Sequence, residues 1–474
     1  MGALTDAAVV GGGPNGLAAA ITLARAGRSV TVLEAAAAAG GGSRSAELTL
    51  PGFIHDPCSS IHGVALASPF LRTVDLAARG VEWIHPDAPI AHPLGGDRVA
   101  ILERSVRATA DALEPDGRAW RRLLGPLVGE AERLLPALLG PVLKMPRHPL
   151  ALARFGLPAL RSTRGLARSR FDSEEARALF AGIAAHSMLP LTAPLSASFG
   201  LVLAMVAHAH GWPLARGGSQ AVADALVAEA TSLGVEIVTD HPVRAMSDLP
   251  PVRAVLFALT PRQVGSIAGD RLATGARRRL EDFRYGPGVF KLDWALDGPI
   301  PWAAREVGRA ATVHLGGTLD EITAAEADVS AGRHPERPYV LLVQPTLFDP
   351  TRAPAGKHTA WAYCHVPNGS AIDMTHRIEG QVERFAPGFR DLILARRAWS
   401  PADMERYDEN YVGGDINGGI QDWRQLIFRP SPTLDPYHLG RGLYLCSSST
   451  PPGGGVHGMS GWHAARSALR RDLA

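Results

Sequence analysis

Four residues constrain this chain more than any others: Gly11, Gly13 and Gly16 in a G-x-G-x-x-G spacing, and Glu34 eighteen residues beyond the last glycine. Ala7-Ala8-Val9-Val10 before the glycines reads as a buried strand. Leu17 to Ala26 reads as a small-residue helix ending at Gly27, and Ser29 to Leu33 as a second strand. In such a β-α-β unit the glycines permit a tight turn, close approach of a pyrophosphate, and helix–strand packing. The phosphate meets the helix N-terminus, with Pro14 and Asn15 in the turn. A carboxylate ending the second strand accepts hydrogen bonds from an adenosine ribose and repels a 2′-phosphate, which disfavours NADP. NAD and FAD both remain compatible with these residues.

A chain of 474 residues holds two or three domains. Lys and Arg (48) nearly cancel Asp and Glu (46), so no nucleic-acid partner is expected. Cys58, Cys364 and Cys446 are far apart and odd in number, which fits neither a disulfide framework nor a Cys-based metal site, and no metal is expected. The first residues lack the charged and apolar regions of a secretory signal, so a cytoplasmic location is expected.

Further along, a proline-broken segment from Phe53 to about Pro93 reads as loop-rich, with one short helix near Leu71 to Ala78. From Arg133 to Phe171 there is no acidic residue. Arg147, Arg154, Arg161 and Arg168 recur every seven positions among leucines, a pattern that suits a helix lying on a membrane surface as well as a solvated face. Ala178 to Ala215 carries no Asp, Glu, Lys or Arg, but prolines split it. Its helix Ser196 to His210 is shorter than the ~20 residues a bilayer span needs. A helix Gln220 to Leu233 follows, then strands at Val235–Val238, around Val243 and at Val252–Leu259. Val289 to Leu296 and Tyr339 to Val343 are further strands. The end reads as strand Gly442 to Cys446, a Gly/Pro/Ser loop, and helix Val456 to Leu469.

Two more glycine loops complete a pattern: Gly40-Gly41-Gly42-Ser43-Arg44 just after Glu34-Ala35, and Ser447 to Gly455 before the last helix. With these, the chain resembles, nearly end to end, the FAD-dependent flavin amine oxidase and phytoene (carotenoid) desaturase superfamily, closest to its phytoene dehydrogenase-like branch. The resemblance implies an α/β fold: a glutathione-reductase-like, Rossmann-type FAD-binding domain from residues 1–65, 215–270 and 430–474. A mixed-sheet and helix substrate domain from 66–214 and 271–429 interleaves with it. The resemblance implies FAD, expected to be noncovalent because neither Cys58 nor Cys446 sits in a recognisable attachment motif. Gly11, Gly13, Pro14, Asn15, Gly16 and the loop residues Gly41, Gly42, Ser43 and Arg44 lie by the diphosphate, Glu34 and Ala35 by the ribose, Val243 by the adenine, and Gly455, Val456 and His457 under the flavin. The family often has arginines two and eight residues past the acid; this chain has Ala36 and Gly42 there, with Arg44 the nearby substitute.

Tyr285 to Trp294 resembles the amine-oxidase strand whose lysine reaches flavin N5 through a water, and Lys291 falls on that lysine. A cation there assists reoxidation by oxygen or places a water. Phytoene desaturases generally lack it, which counts against a carotenoid substrate. His62, in Asp56-Pro57-Cys58-Ser59-Ser60-Ile61-His62, enters the cavity by family position as a proton shuttle or as a hydrogen-bonded structural histidine. The function implied is hydride transfer from a substrate C–H to flavin N5, as a desaturase or oxidase of a hydrophobic or amine-type small molecule. Its electrons pass to oxygen, a quinone or another acceptor. A redox-neutral isomerase and a non-enzymatic FAD-binding interaction protein are the rival readings.

Overall fold

The strand expected at the amino terminus is the middle of the first sheet. In the computed structural model, which describes residues 5–143 and 145–474, Thr5–Val10 pairs in parallel with Val30–Leu33 on one side and Val252–Phe257 on the other. Glu236–Val238 extends the sheet beyond Val30–Leu33, Leu443–Leu445 extends it beyond Val252–Phe257, and His438–Gly440 closes that edge antiparallel. A parallel sheet is covered on both faces, so its strands read as unbroken apolar runs. Ala7, Val9, Val32 and Leu256 point into one core and Val10, Leu33, Val255 and Phe257 into another.

Helices Pro14–Arg25 and Met459–Leu469 cross on the first of these faces. They cross so closely that a Cβ at Gly461 would lie 1.7 Å from the Asn15 carbonyl oxygen. Only glycine fits there, and the contact sets the carboxy-terminal segment against the amino-terminal turn.

The second sheet has seven strands in the order Ile393–Trp399, Gly288–Leu296, His358–Val366, Val340–Val343, Ala310–Leu315, Ala88–Gly95, Arg98–Leu102. All pairs are antiparallel except Ala310–Leu315 with Ala88–Gly95. Its two faces differ in chemistry. Phe290, Leu292, Trp294, Ala360, Ala362 and Cys364 fill an apolar core with the helix Thr375–Phe385. The period of two turns Lys291, Asp293, Trp361, Tyr363 and His365 to the opposite face.

Several elements differ from the sequence reading. The first helix starts at Pro14 rather than Leu17, because proline at the first helical position needs no hydrogen-bond partner. The last helix starts at Met459 rather than Val456, since Gly455 (φ 128°) and Gly458 (φ 66°) hold the chain outside helical space. Val243 lies in an extended loop outside the sheets, and the helix expected at Leu71 to Ala78 is a single 3-10 turn, Leu71–Thr73, that Val74 ends by turning extended. The proline-rich run reaching Pro93 contains most of a strand: Ala88–Gly95 absorbs Pro93 where its register with Arg98–Leu102 slips. The basic stretch forms three helices, Ala131–Leu138, Pro149–Ala159 and Thr163–Arg170. Ser196–Ala209 is a buried helix, and among the described residues no helix is long and apolar enough to cross a membrane.

Replacing Gly461 by valine forces the two helices apart, and we expect a loss of about 3 kcal/mol of stability. Thermal melting read by far-UV circular dichroism checks it; an unchanged midpoint would mean that this crossing is not tight.

Candidate nucleotide and flavin site

The glycine turn is built by close contacts. Gly11 takes φ 99°, and a Cβ at Gly16 would lie 1.9 Å from the Gly11 carbonyl oxygen, so the third glycine lets the helix start directly on the turn. Gly41, at φ 51°, brings its backbone against Gly13, where an added Cβ would stand 3.1 Å from the Gly13 Cα. The two glycine loops therefore meet face to face at the amino end of the first helix.

Glu34 organises the turn as well as facing the cavity. Its Oε2 accepts the Gly12 amide at 2.6 Å and its Oε1 the Ala36 amide at 2.9 Å. Each oxygen keeps a further lone pair for a ribose hydroxyl.

These parts open on one cavity of about 440 Å³. Gly11, Gly13, Pro14, Asn15, Gly16, Glu34, Ala35, Gly41, Gly42, Arg44 and Val243 all line it. Ser447, Ser448 and Ser449 from the carboxy-terminal loop close its far side. Ser43 sits beneath the lining, fully buried. Gly455, Val456 and His457 are not part of this lining. His457 is instead a structural cap: its Nδ1 accepts the Met459 amide at 3.0 Å, its Nε2 lies 3.2 Å from the Gly453 carbonyl, and burial lowers its pKa to about 4. Two buried polar atoms of lining residues, Asn15 Oδ1 and Ser449 Oγ, have no hydrogen-bond partner. A pocket with bare backbone at its turn and orphaned polar atoms on its walls suits a dinucleotide.

A further wall was not visible in the sequence. The segment Arg406–Tyr411 crosses over the cavity from the other sheet's side. Tyr411 fills the space a side chain at Gly42 would need, its hydroxyl 2.3 Å from that Cβ position. Asn410 accepts the Thr260 amide at 3.0 Å. Arg44 holds this wall: its guanidinium lies 4.3 Å over the Tyr407 ring and donates to the carbonyls of Gly41 and Tyr407. Burial raises the pKa of the Asp408 carboxyl beside it.

The polar face of the seven-stranded sheet continues from there, through the cluster in which Tyr363 and Val289 pack with Tyr407, Tyr411 and Cys58. Lys291 is 1% exposed and paired with Asp293, with Trp361 5.2 Å away. Asp293 was not singled out in the sequence, although Lys-x-Asp on a strand places both side chains on one face. Farther along, buried Tyr339 and His314 and half-buried His186 form a row, with His186 and His314 joined Nε2 to Nε2 at 3.0 Å.

His62 is buried and hydrogen-bonded. It is 1% exposed, its Nε2 lies 2.9 Å from Ser219 Oγ, its ring packs on Trp83, and burial lowers its pKa to about 4. The cavity lining does not include it. Burial raises the Cys58 thiol to about 11 and also pushes that of Cys446 up, so both are held protonated and unsuited to nucleophilic attachment chemistry. Among the described residues no group of His, Cys, Asp and Glu could hold a metal ion.

Five imidazoles, His55, His62, His92, His208 and His457, are buried neutral with pKa values of about 4. Unfolding frees each to titrate near 6.5. Above that pH they are neutral in both states; below it the unfolded chain binds protons that the fold refuses. We therefore expect stability to fall from pH 6.5 towards 4, by about 1 kcal/mol per imidazole per pH unit. Melting temperatures across that range check this, and a flat profile would contradict it.

Comparison with known proteins agrees with this geometry. Residues 9–71 match the family model of an NAD(P)-binding Rossmann-like domain. The chain is 26% identical to pyridine nucleotide-disulfide oxidoreductase domain-containing protein 2 of Rattus norvegicus, over 98% of this chain and 93% of that one. It is 27% identical to the phytoene dehydrogenase of Streptomyces griseus, over 88% and 81%. The solved structure of a putrescine oxidase bound to putrescine superposes with a TM-score of 0.63 at 18% identity, covering 99% of both chains. The chain thus carries a Rossmann-like nucleotide-binding unit at its amino terminus, and over its length it is similar to oxidoreductases, in sequence to a phytoene dehydrogenase and in fold to a flavin amine oxidase.

Proposed function

We propose that the cavity holds FAD noncovalently and that the protein takes a hydride from a substrate C–H, as a desaturase or oxidase of a hydrophobic or amine-type small molecule. The observation that carries this reading is the convergence of the glycine turn, Glu34, Val243 and Ser447–Ser449 on one cavity with orphaned polar walls. When bound, the flavin supplies the two-electron acceptor. The chain's own residues do the rest. Backbone amides at the start of Pro14–Arg25 receive the diphosphate, Glu34 orients the ribose, and Val243 packs beside the adenine. Arg44, engaged with Tyr407, fixes the wall that excludes water. By the family resemblance Lys291 would serve the flavin's N5 end, and the Ser447–Ser449 loop on the far side of the cavity would lie by the ring. Electrons leave to oxygen, a quinone or another acceptor.

We further propose peripheral membrane contact through 133–171. Met145, Leu150, Leu157 and Leu160 are 88%, 83%, 73% and 61% exposed, and Arg147 and Arg161 lie in the same stretch. Part of the basic charge is spent within the protein, since Arg154 pairs with Glu130 and Arg168 with Asp320.

Anaerobic addition of candidate substrates to the purified protein is expected to bleach its 450 nm band, with oxidised product formed as acceptor is consumed. Product that is isomerised without acceptor turnover would favour the redox-neutral reading, and a band no compound bleaches would favour a non-enzymatic scaffold. For the membrane, Leu150→Asp with Leu157→Asp should cut cosedimentation with anionic phosphatidylserine vesicles by about tenfold; equal binding of variant and parent would remove the contact.

A further inference from the structure

Lys291 is the residue that the superfamily resemblance places at flavin N5, and an oxygen-activating cation must present unbalanced positive charge to the ring. Here it does not. Its ammonium donates to the Asp293 carboxylate, and both groups are buried. Asp293 is itself fixed: Trp399 Nε1–H donates to its other oxygen at 2.9 Å, and His55 Nδ1 stands 3.6 Å from the oxygen the lysine uses. Burial lowers the His55 pKa to about 4, so the ring adds no charge. Another buried cation in this region is matched in the same way: Arg352 lies 2.8 Å from Asp56.

The first electron delivered to oxygen creates superoxide, whose new negative charge must be met by a nearby field. A cation matched in bonding contact by a carboxylate presents a dipole, and a dipole's field dies away faster than a lone charge's. We propose that Asp293 masks Lys291, so that the reduced flavin is emptied by an organic two-electron acceptor of the quinone class rather than by oxygen. In that step the reduced anionic flavin loses two electrons and its N5 proton. The quinone gains both electrons, that proton and one from solvent, and leaves as hydroquinone. This inference rests on the cavity being an FAD site with Lys291 beside N5, and it selects among the acceptors left open above.

The test uses the whole yellow protein, photoreduced without substrate and mixed in a stopped-flow instrument with oxygen or 1,4-benzoquinone at equal concentration. Benzoquinone should reoxidise it at least about 100-fold faster. A second readout is an equilibrium one: sulfite adds to flavin N5 more tightly when positive charge lies near. Asp293→Asn should bind sulfite about tenfold more tightly and react with oxygen about tenfold faster. Adding Lys291→Met to that variant should reverse both gains, which a merely structural effect of Asp293 would not do. Wild-type protein that reacts with oxygen as fast as with benzoquinone overturns the inference by itself, even if Asp293→Asn does not fold. A folded, yellow Asp293→Asn with unchanged sulfite affinity overturns it too. In both cases the FAD reading stands; a colourless protein that refuses FAD would overturn that reading and this inference together.

Discussion

The contact between Gly461 and the Asn15 carbonyl is the constraint on which the arrangement of this molecule depends. Residues 446 positions apart in sequence are held closer than any side chain would allow. That crossing sets the Ser447–Ser449 loop opposite the Gly11–Gly16 turn, so that a single cavity is walled by both ends of the chain. The turn itself is tightened by the same device, since Gly16 presses on the Gly11 carbonyl. Burial of Ala18, Ala19 and Ala465 between the helices contributes little area per residue. Their small size is what allows the backbones to approach.

A second constraint operates on the seven-stranded sheet. Its strand Gly288–Leu296 is buried on both faces, yet only one face is apolar. On the other, Lys291 has Asp293 and Arg352 has Asp56 within reach, and His365 Nδ1 lies 2.9 Å from the Glu326 carboxylate. Charges removed from water survive only when matched in this way. The consequence is a face rich in ionisable groups that carries little net charge. Burial lowers the pKa of its His314 imidazole and pushes its Tyr339 and Tyr363 hydroxyls up.

The nucleotide half of the site was legible in the sequence because its signals are local. The Gly11–Gly16 spacing, the acid at the end of Val30–Leu33 and the loop at Gly41-Gly42 each depend on backbone geometry within a few residues, and all reach the cavity. What could not be read required long-range pairing. Nothing near Asp408 or Tyr411 signals that this segment crosses over Gly42, since the contact joins two turns far apart in the sequence. The strand Ala88–Gly95 was hidden by its prolines, whose tolerance depends on a register slip with the neighbouring strand. His62 carried the right chemistry at the right family position, but its partner Ser219 lies 157 residues away and ties it into the structure. His457 missed the cavity because Gly458 starts the helix later than periodicity implied.

The account stands or falls on a dinucleotide shared by the two ends of the chain. Denaturing the purified protein and identifying the released chromophore, by absorbance and mass, measures this most directly. One FAD per chain, released without covalent attachment, is the predicted result. A colourless protein whose refolded or native form takes up no added FAD would contradict it.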